Sequence, residues 1–140
     1  MASVRENFLR YVAQTSEFPL SLEIVDGKGM YLFDKDGKAY LDLIAGISVS
    51  NLGHCHEAVV KAVQEQAGKF MHTIVYGEFA LAPQTELAEL LVKNLPQTLN
   101  SVYFVNSGSE ATEGAMKLAK RFTARAEFIA CYDAYHGSTQ

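Results

Sequence analysis

The chain has 140 residues, a net charge of −4, 49% hydrophobic residues and 20% charged residues. These values are typical of ordinary globular protein, and the acidic balance argues against nucleic acid as the main partner. No apolar run approaches the ~20 residues that a membrane-spanning helix needs, so we expect no membrane association. The two cysteines, Cys55 and Cys131, lie too far apart to suggest a disulfide framework, and a reducing cytoplasm is the expected location.

The first 48 residues are predicted to form an N-terminal helix followed by an antiparallel meander. Helical periodicity extends over residues 1 to about 18, and its predicted buried set is Val4, Phe8, Leu9, Tyr11 and Val12. Three apolar runs, LEIV, MYLF and KAYLDL, then alternate with two turns, predicted at 26–29 and 34–37. Asp-Gly pairs between apolar runs are strong hairpin signals, so a three-stranded meander is expected.

Residues 49–140 are predicted to begin a larger α/β domain. Two amphipathic helices are expected over 57–70 and 83–95, the second with Pro83 in its first turn. After them, apolar strands at 101–105 and 127–132 flank a third helix. This order predicts one right-handed βαβ unit of a parallel sheet that has helices on both faces.

The loop Asn106–Ser109 is the first candidate site. It joins a predicted strand to a predicted helix, so free backbone N–H groups, two serine hydroxyls and the positive end of the helix dipole meet there. This combination predicts a small cup that binds an anion such as phosphate. The alternative is that the serines and Asn106 only cap the helix and no ligand binds.

Tyr135 and His136 form the second candidate cluster, because they follow the predicted strand 127–132. Ligands of open α/β sheets bind beyond the carboxyl ends of the strands, so this cluster is expected beside the cup. An aromatic ring and an imidazole next to a phosphate site favour a flat phosphorylated aromatic ligand. The alternative is a surface pair with no ligand. The run His54-Cys55-His56 lacks the spacing of a metal motif, and no metal site is expected.

Four motifs in this order resemble the N-terminal part of a class III aminotransferase, a pyridoxal-phosphate enzyme of fold type I. They are Gly29–Asp34 (GMYLFD), Asn51–His56 (NLGHCH), Asn106–Ala111 (NSGSEA) and Tyr135–Gly137 (YHG). The resemblance is strongest to the acetylornithine and ornithine aminotransferase branch. It implies a small-domain segment over 1–48, then the start of an incomplete three-layer α/β/α cofactor-binding domain over 49–140.

The resemblance also implies the role of individual residues. Ser107, Gly108 and Ser109 match the family loop that binds the phosphate of pyridoxal 5'-phosphate (PLP). Tyr135 matches the aromatic residue that stacks on the pyridoxal ring, and His136 is expected to support it. Glu113 matches an acidic position of the family, and we expect it either to have a structural role or to support the residues that contact the cofactor.

The implied activity is transfer of an amino group from an ω-amino donor, such as acetylornithine or ornithine, to a 2-oxo acid. The implied protein is a homodimer in which 51–80 crosses to the partner subunit. The family's Schiff-base lysine and the acid paired with the pyridinium nitrogen lie further along the chain, and none of the eight lysines here suits the first role. We therefore expect no catalytic residue in these 140 residues and no activity from them alone.

Two kinds of alternative remain open at this point. The protein could be a γ-aminobutyrate aminotransferase, a diamine aminotransferase or an aminomutase, because few substrate-selecting residues can be identified. The 140 residues could also be an inactive binding or assembly module.

Overall fold

A computed structural model of the chain describes residues 2–74 and 77–137. The chain divides into two compact units, Met1–Thr73 and Ile74–Gln140. The first unit holds α1 (Val4–Tyr11), β1 (Ile24–Lys28), β2 (Tyr31–Asp34), β3 (Ala39–Leu41), α2 (Ala45–Ser48) and α3 (Glu57–Ala67). The second unit holds α4 (Ala82–Asn94) and α5 (Gly108–Thr123). The division into domains between residues 48 and 49 stays a prediction.

Helix α1 is shorter than its periodicity predicts. It begins after Ser3, whose hydroxyl accepts the Glu6 N–H at 3.1 Å while the Glu6 carboxylate accepts the Ser3 N–H at 2.7 Å. This reciprocal capping box satisfies two donors that the first turn leaves free. The helix ends where Val12 becomes extended. Of the predicted buried set only Phe8 is half-buried, and the prediction was wrong for Val4, Leu9, Tyr11 and Val12.

The predicted meander is confirmed as an antiparallel sheet in the order β1-β2-β3. Its register pairs Gly27 with Leu32 and Leu32 with Tyr40. The first turn differs from the prediction, because β1 continues through Lys28 and the chain reverses after it. The second turn is held by Asp34, whose Oδ1 accepts the N–H groups of residues 36 and 38 at 3.0 and 2.9 Å.

After β3 the backbone enters a left-handed conformation. All four residues of α2 have positive φ, with values of 48° at Ala45, 63° at Gly46, 60° at Ile47 and 65° at Ser48. For the three residues other than glycine this conformation costs about 1–2 kcal/mol each. The strain is held by local hydrogen bonds, among them Val49 N–H to the Ala45 carbonyl at 2.8 Å.

The two amphipathic helices lie close to their predicted positions. Helix α3 begins at Glu57 as predicted and ends three residues early, at Ala67. Helix α4 spans Ala82–Asn94 and has Pro83 in its first turn, where the missing N–H costs nothing. Among the described helices, none is both long and apolar enough to cross a membrane.

The segments 101–105 and 127–132 do not form the strands that the sequence predicts. Helix α5 lies between them, but the described residues contain only the three-stranded antiparallel sheet, and no ladder joins the two segments. The reason is that a strand exists only when a neighbouring strand accepts its backbone hydrogen bonds. The prediction that these two segments pair side by side was therefore wrong for this structure.

The chain buries little of its surface. None of the described residues is buried, and the accessible surface is 12884 Å². A folded monomer of 15.4 kDa would expose about 7,200 Å² by the usual scaling with mass. The apolar stripe predicted for α4 illustrates the difference, because its leucines stay 38–59% exposed: Leu87, Leu90, Leu91 and Leu95.

Candidate functional site

The start of α5 is organised by two hydrogen bonds of Glu110. Ser107 is the N-cap residue, and its hydroxyl accepts the Glu110 N–H at 3.2 Å. The Glu110 carboxylate turns back and accepts the N–H of Asn106 at 2.7 Å. These bonds fix the direction in which the chain enters the helix. The capping role that the sequence suggested is therefore present.

Capping leaves part of the loop available to a ligand. Within the described residues, the N–H groups of Gly108 and Ser109 donate to no other residue, as expected for the first turn of a helix. A Cβ placed on Gly108 would meet nothing within 4 Å, so the space in front of this backbone is open. The hydroxyl protons of Ser107 and Ser109 can also donate. The Glu110 carboxylate is engaged with Asn106, so an anion would bind at residues 107–109.

This donor set fits a phosphate group. The N–H groups of Gly108 and Ser109 are donors, the two serine hydroxyls can donate, and a phosphate oxygen only needs to accept. The positive end of the dipole of a 16-residue helix adds to the attraction. The loop can therefore hold an anion by backbone and hydroxyl hydrogen bonds without a lysine or arginine.

The second predicted cluster comes to the same loop. Gly137 lies against Ser109 so closely that a Cβ on Gly137 would stand 2.5 Å from its Oγ and 2.7 Å from its Cβ. The residue that follows Tyr135 and His136 therefore lies at the loop, although 127–132 forms no strand. The Tyr135 side chain is 83% exposed, and His136 is also exposed.

Glu113 lies on α5 one turn after Ser109. Its carboxylate forms an ion pair with Lys117 at 3.4 Å, and its side chain is 23% exposed. The other lysines with a described partner lie on exposed surfaces: Lys35 with Asp36 at 3.1 Å, Lys61 with Glu65 at 3.9 Å, and Lys93 with Glu89 at 2.6 Å. Lys120 lies over the ring of Phe128 at 5.4 Å.

A further polar pair, which the sequence did not reveal, lies in the first unit. Asp42 Oδ1 accepts the N–H groups of Ile44 and Ala45 at 3.0 and 2.9 Å, and Oδ2 lies 2.7 Å from His54 Nε2. The hydrogen bond from the Ala45 N–H, followed by the one from His54, lowers the pKa of Asp42. Asp42 thus fixes both the entry to the left-handed turn and the corner at His54.

The same corner is tied to the meander through the backbone. Gly29 and His54 exchange two hydrogen bonds, of 3.0 and 2.7 Å. Gly53 has φ +84°, and a Cβ there would lie 2.9 Å from the Gly29 carbonyl oxygen. His54 is thus engaged within the fold, and no group of three histidine, cysteine, aspartate or glutamate side chains among the described residues could hold a metal ion.

Comparisons with known proteins agree on one family. The family profile "Aminotransferase class-III" matches residues 11–140. Acetylornithine aminotransferase of Methanopyrus kandleri is 46% identical over 138 residues, which cover 96% of this chain and 34% of that protein. The chain spans about a third of the length of the curated relatives it matches.

Solved structures give the same result. The taurine:2-oxoglutarate aminotransferase of Bifidobacterium kashiwanohense, in complex with PLP and glutamate, matches with a TM-score of 0.88 and 34% identity. The match covers 97% of this chain and 31% of that one. N-acetylornithine aminotransferase of Stenotrophomonas maltophilia matches with a TM-score of 0.68 and 38% identity, over 76% of this chain and 29% of that one. The predicted fold class, an incomplete type I fold, is confirmed.

Proposed function

Because the chain belongs to the class III aminotransferase family, we propose that it is the N-terminal portion of a PLP-dependent aminotransferase. The proposed reaction moves an amino group from an ω-amino donor, acetylornithine or ornithine, to a 2-oxo acid. Relatives named acetylornithine aminotransferase, at 43–46% identity, support this choice of donor. The observation that carries the proposal is the open loop 107–109 at the start of α5, where the N–H groups of Gly108 and Ser109 have no partner among the described residues.

The loop's part in this function is to hold the PLP phosphate. The N–H groups of Gly108 and Ser109 would donate to phosphate oxygens, and the hydroxyls of Ser107 and Ser109 would add further hydrogen bonds. When bound, PLP supplies an electron sink for chemistry at the amino-bearing carbon of the substrate. The loop contributes binding and orientation. It has no group that would exchange a proton with the substrate.

Tyr135 and His136 complete the proposed cofactor contacts. The contact between Gly137 and Ser109 brings their segment to the loop. We assign the Tyr135 ring to stacking on the pyridoxal ring, and we assign His136 to supporting Tyr135. Stacking between aromatic rings would hold the pyridoxal ring in one orientation.

We propose that the residues that transfer protons lie outside these 140 residues. The cofactor-binding lysine and the acid that pairs with the pyridinium nitrogen would come from sequence beyond these 140 residues. The lysines here support this view, because those with a described ion pair are held by nearby carboxylates on exposed surfaces. The isolated chain is therefore expected to be inactive.

The remaining features of the proposal concern the whole protein. We propose a cytoplasmic homodimer in which residues 1–48 belong to a small domain and 49–140 to the large one. An independent module of 140 residues is less well supported. Its surface of 12884 Å² far exceeds the ~7,200 Å² of a folded monomer of this mass.

The test is an amino-transfer assay on the native protein purified from the cells that make it. The amino donors are acetylornithine, ornithine, γ-aminobutyrate and a diamine, each with 2-oxoglutarate as acceptor, and glutamate formation is measured. The proposal predicts the highest kcat/KM with acetylornithine or ornithine. A preference for γ-aminobutyrate or the diamine would contradict the proposed donor but agree with the proposed amino-transfer reaction. Rearrangement of one substrate without any acceptor would indicate an aminomutase, and no reaction despite bound PLP would favour the binding module.

A further inference from the structure

We infer that Gly137 is a positioning residue for the phosphate loop, and the inference rests on the proposed function. Gly137 would not touch the cofactor. Its role would be to let the segment that carries Tyr135 pack directly against Ser109, which supplies one N–H and one hydroxyl to the loop. A side chain at position 137 would push Ser109 away from the phosphate.

The distances explain why only glycine fits. A Cβ on Gly137 would lie 2.5 Å from Ser109 Oγ, 2.7 Å from its Cβ and 2.9 Å from its Cα. Separations under 3.0 Å are essentially never found for real Cβ atoms. Because two of these atoms belong to the Ser109 Cα–Cβ bond, a change of side-chain rotamer cannot relieve the contact. The backbone of Ser109 or of Gly137 would have to move.

The backbone conformation of Gly137 adds a second restriction. Its φ of +121° lies in a region that side chains other than glycine rarely adopt. The cost of the backbone conformation can be measured separately from the cost of the steric contact. Gly37 has a φ of +81°, and a Cβ there would meet nothing within 4 Å. Substitution at Gly37 therefore measures the cost of positive φ alone, at a position far from the loop in sequence and in the other unit.

The consequence is specific to phosphate. Displacing Ser109 removes hydrogen bonds to the phosphate group but leaves contacts to the pyridoxal ring. Pyridoxal, which lacks the phosphate, therefore serves as a matched probe. Loss of one charge-assisted hydrogen bond corresponds to a rise in the Kd for PLP of roughly 10- to 150-fold.

The experiment measures the Kd of PLP and of pyridoxal for the full-length native protein and three variants, G137A, S109G and the double variant. G37A is the control. We expect G137A to raise the Kd for PLP roughly 10- to 150-fold and the Kd for pyridoxal less than about 3-fold. G37A is expected to change neither value. Because S109G removes two of the three clashing atoms, adding G137A to it should weaken PLP binding little further.

Two outcomes for G137A overturn the inference. Equal weakening of PLP and pyridoxal by G137A would mean that Gly137 supports the fold in general, and unchanged PLP binding would mean that it positions nothing. If G137A fails to fold, the folding of the double variant is compared with that of S109G. A double variant that folds like S109G supports a clash between position 137 and Ser109. A double variant that also fails to fold contradicts the clash. A wild-type protein that binds no PLP would instead refute the proposed function itself.

Discussion

Substitution of Gly108 separates cofactor binding from folding. Gly108 is the first residue of α5, and a Cβ there would meet nothing within 4 Å. Valine at this position should therefore fit the free protein without strain. The same side chain would fill the space in which the loop's N–H groups approach the phosphate. We expect Gly108→Val to weaken PLP binding and to leave stability almost unchanged.

The magnitude follows from the hydrogen bonds that the side chain would block. Each backbone N–H that donates to a charged phosphate contributes about 1.5–3 kcal/mol. Loss of one such bond raises the Kd roughly 10- to 150-fold, since 1.4 kcal/mol corresponds to a factor of ten. The folded protein should gain only about 0.5 kcal/mol or less, because valine is a slightly better helix residue than glycine.

The assay is a spectrophotometric PLP titration of the native protein after removal of bound cofactor, together with a thermal unfolding curve. Gly114→Ala is the matched control, because Gly114 lies on the same helix and its Cβ would also meet nothing within 4 Å. The control should keep the wild-type Kd. If Gly108→Val unfolds at the wild-type temperature and binds PLP with the wild-type Kd, the loop does not hold the phosphate.

Three further predictions concern the fold that supports the site. Gly53→Ala should destabilise the protein by about 1–3 kcal/mol more than Gly37→Ala in urea unfolding. Both glycines have positive φ, but only a Cβ at Gly53 would meet backbone, the Gly29 carbonyl oxygen at 2.9 Å. Equal losses of stability would contradict this. The lowered pKa of Asp42, held mainly by the Ala45 N–H, adds stability above about pH 4 that is lost as the pH falls through the folded-state pKa. Asp42→Asn should therefore flatten the acid side of the stability curve, and an unchanged curve would count against it. Ser107→Ala should cost about 1 kcal/mol of stability through the lost helix cap, and it should also raise the Kd for PLP; a change in neither would remove Ser107 from both roles.

Local signals predicted the elements of the fold well. Asp-Gly turns and alternating apolar runs located the meander, and helical periodicity with Pro83 located α4 to within one residue at each end. The start of α5 and its capping serine also followed from local chemistry, because a cap involves residues only three positions apart. These features depend on neighbours in sequence, and such neighbours can be read from the chain directly.

Features that depend on distant residues were missed or wrong. The pair Asp42–His54 joins positions twelve residues apart, and no periodicity indicates which aspartate a histidine will contact. The left-handed turn of α2 was also not predicted, because Ala45, Ile47 and Ser48 do not favour positive φ. The segments 101–105 and 127–132 have strand-like composition, but their pairing requires backbone partners that composition does not specify.

The position of the PLP phosphate is the most direct test of the whole account. The measurement is a crystal structure of the native protein with PLP bound. We predict phosphate oxygens within about 3.2 Å of the backbone nitrogens of Gly108 and Ser109, with the Tyr135 ring against the pyridoxal ring. A phosphate group bound away from residues 107–109, with this loop contacting only protein, would contradict it.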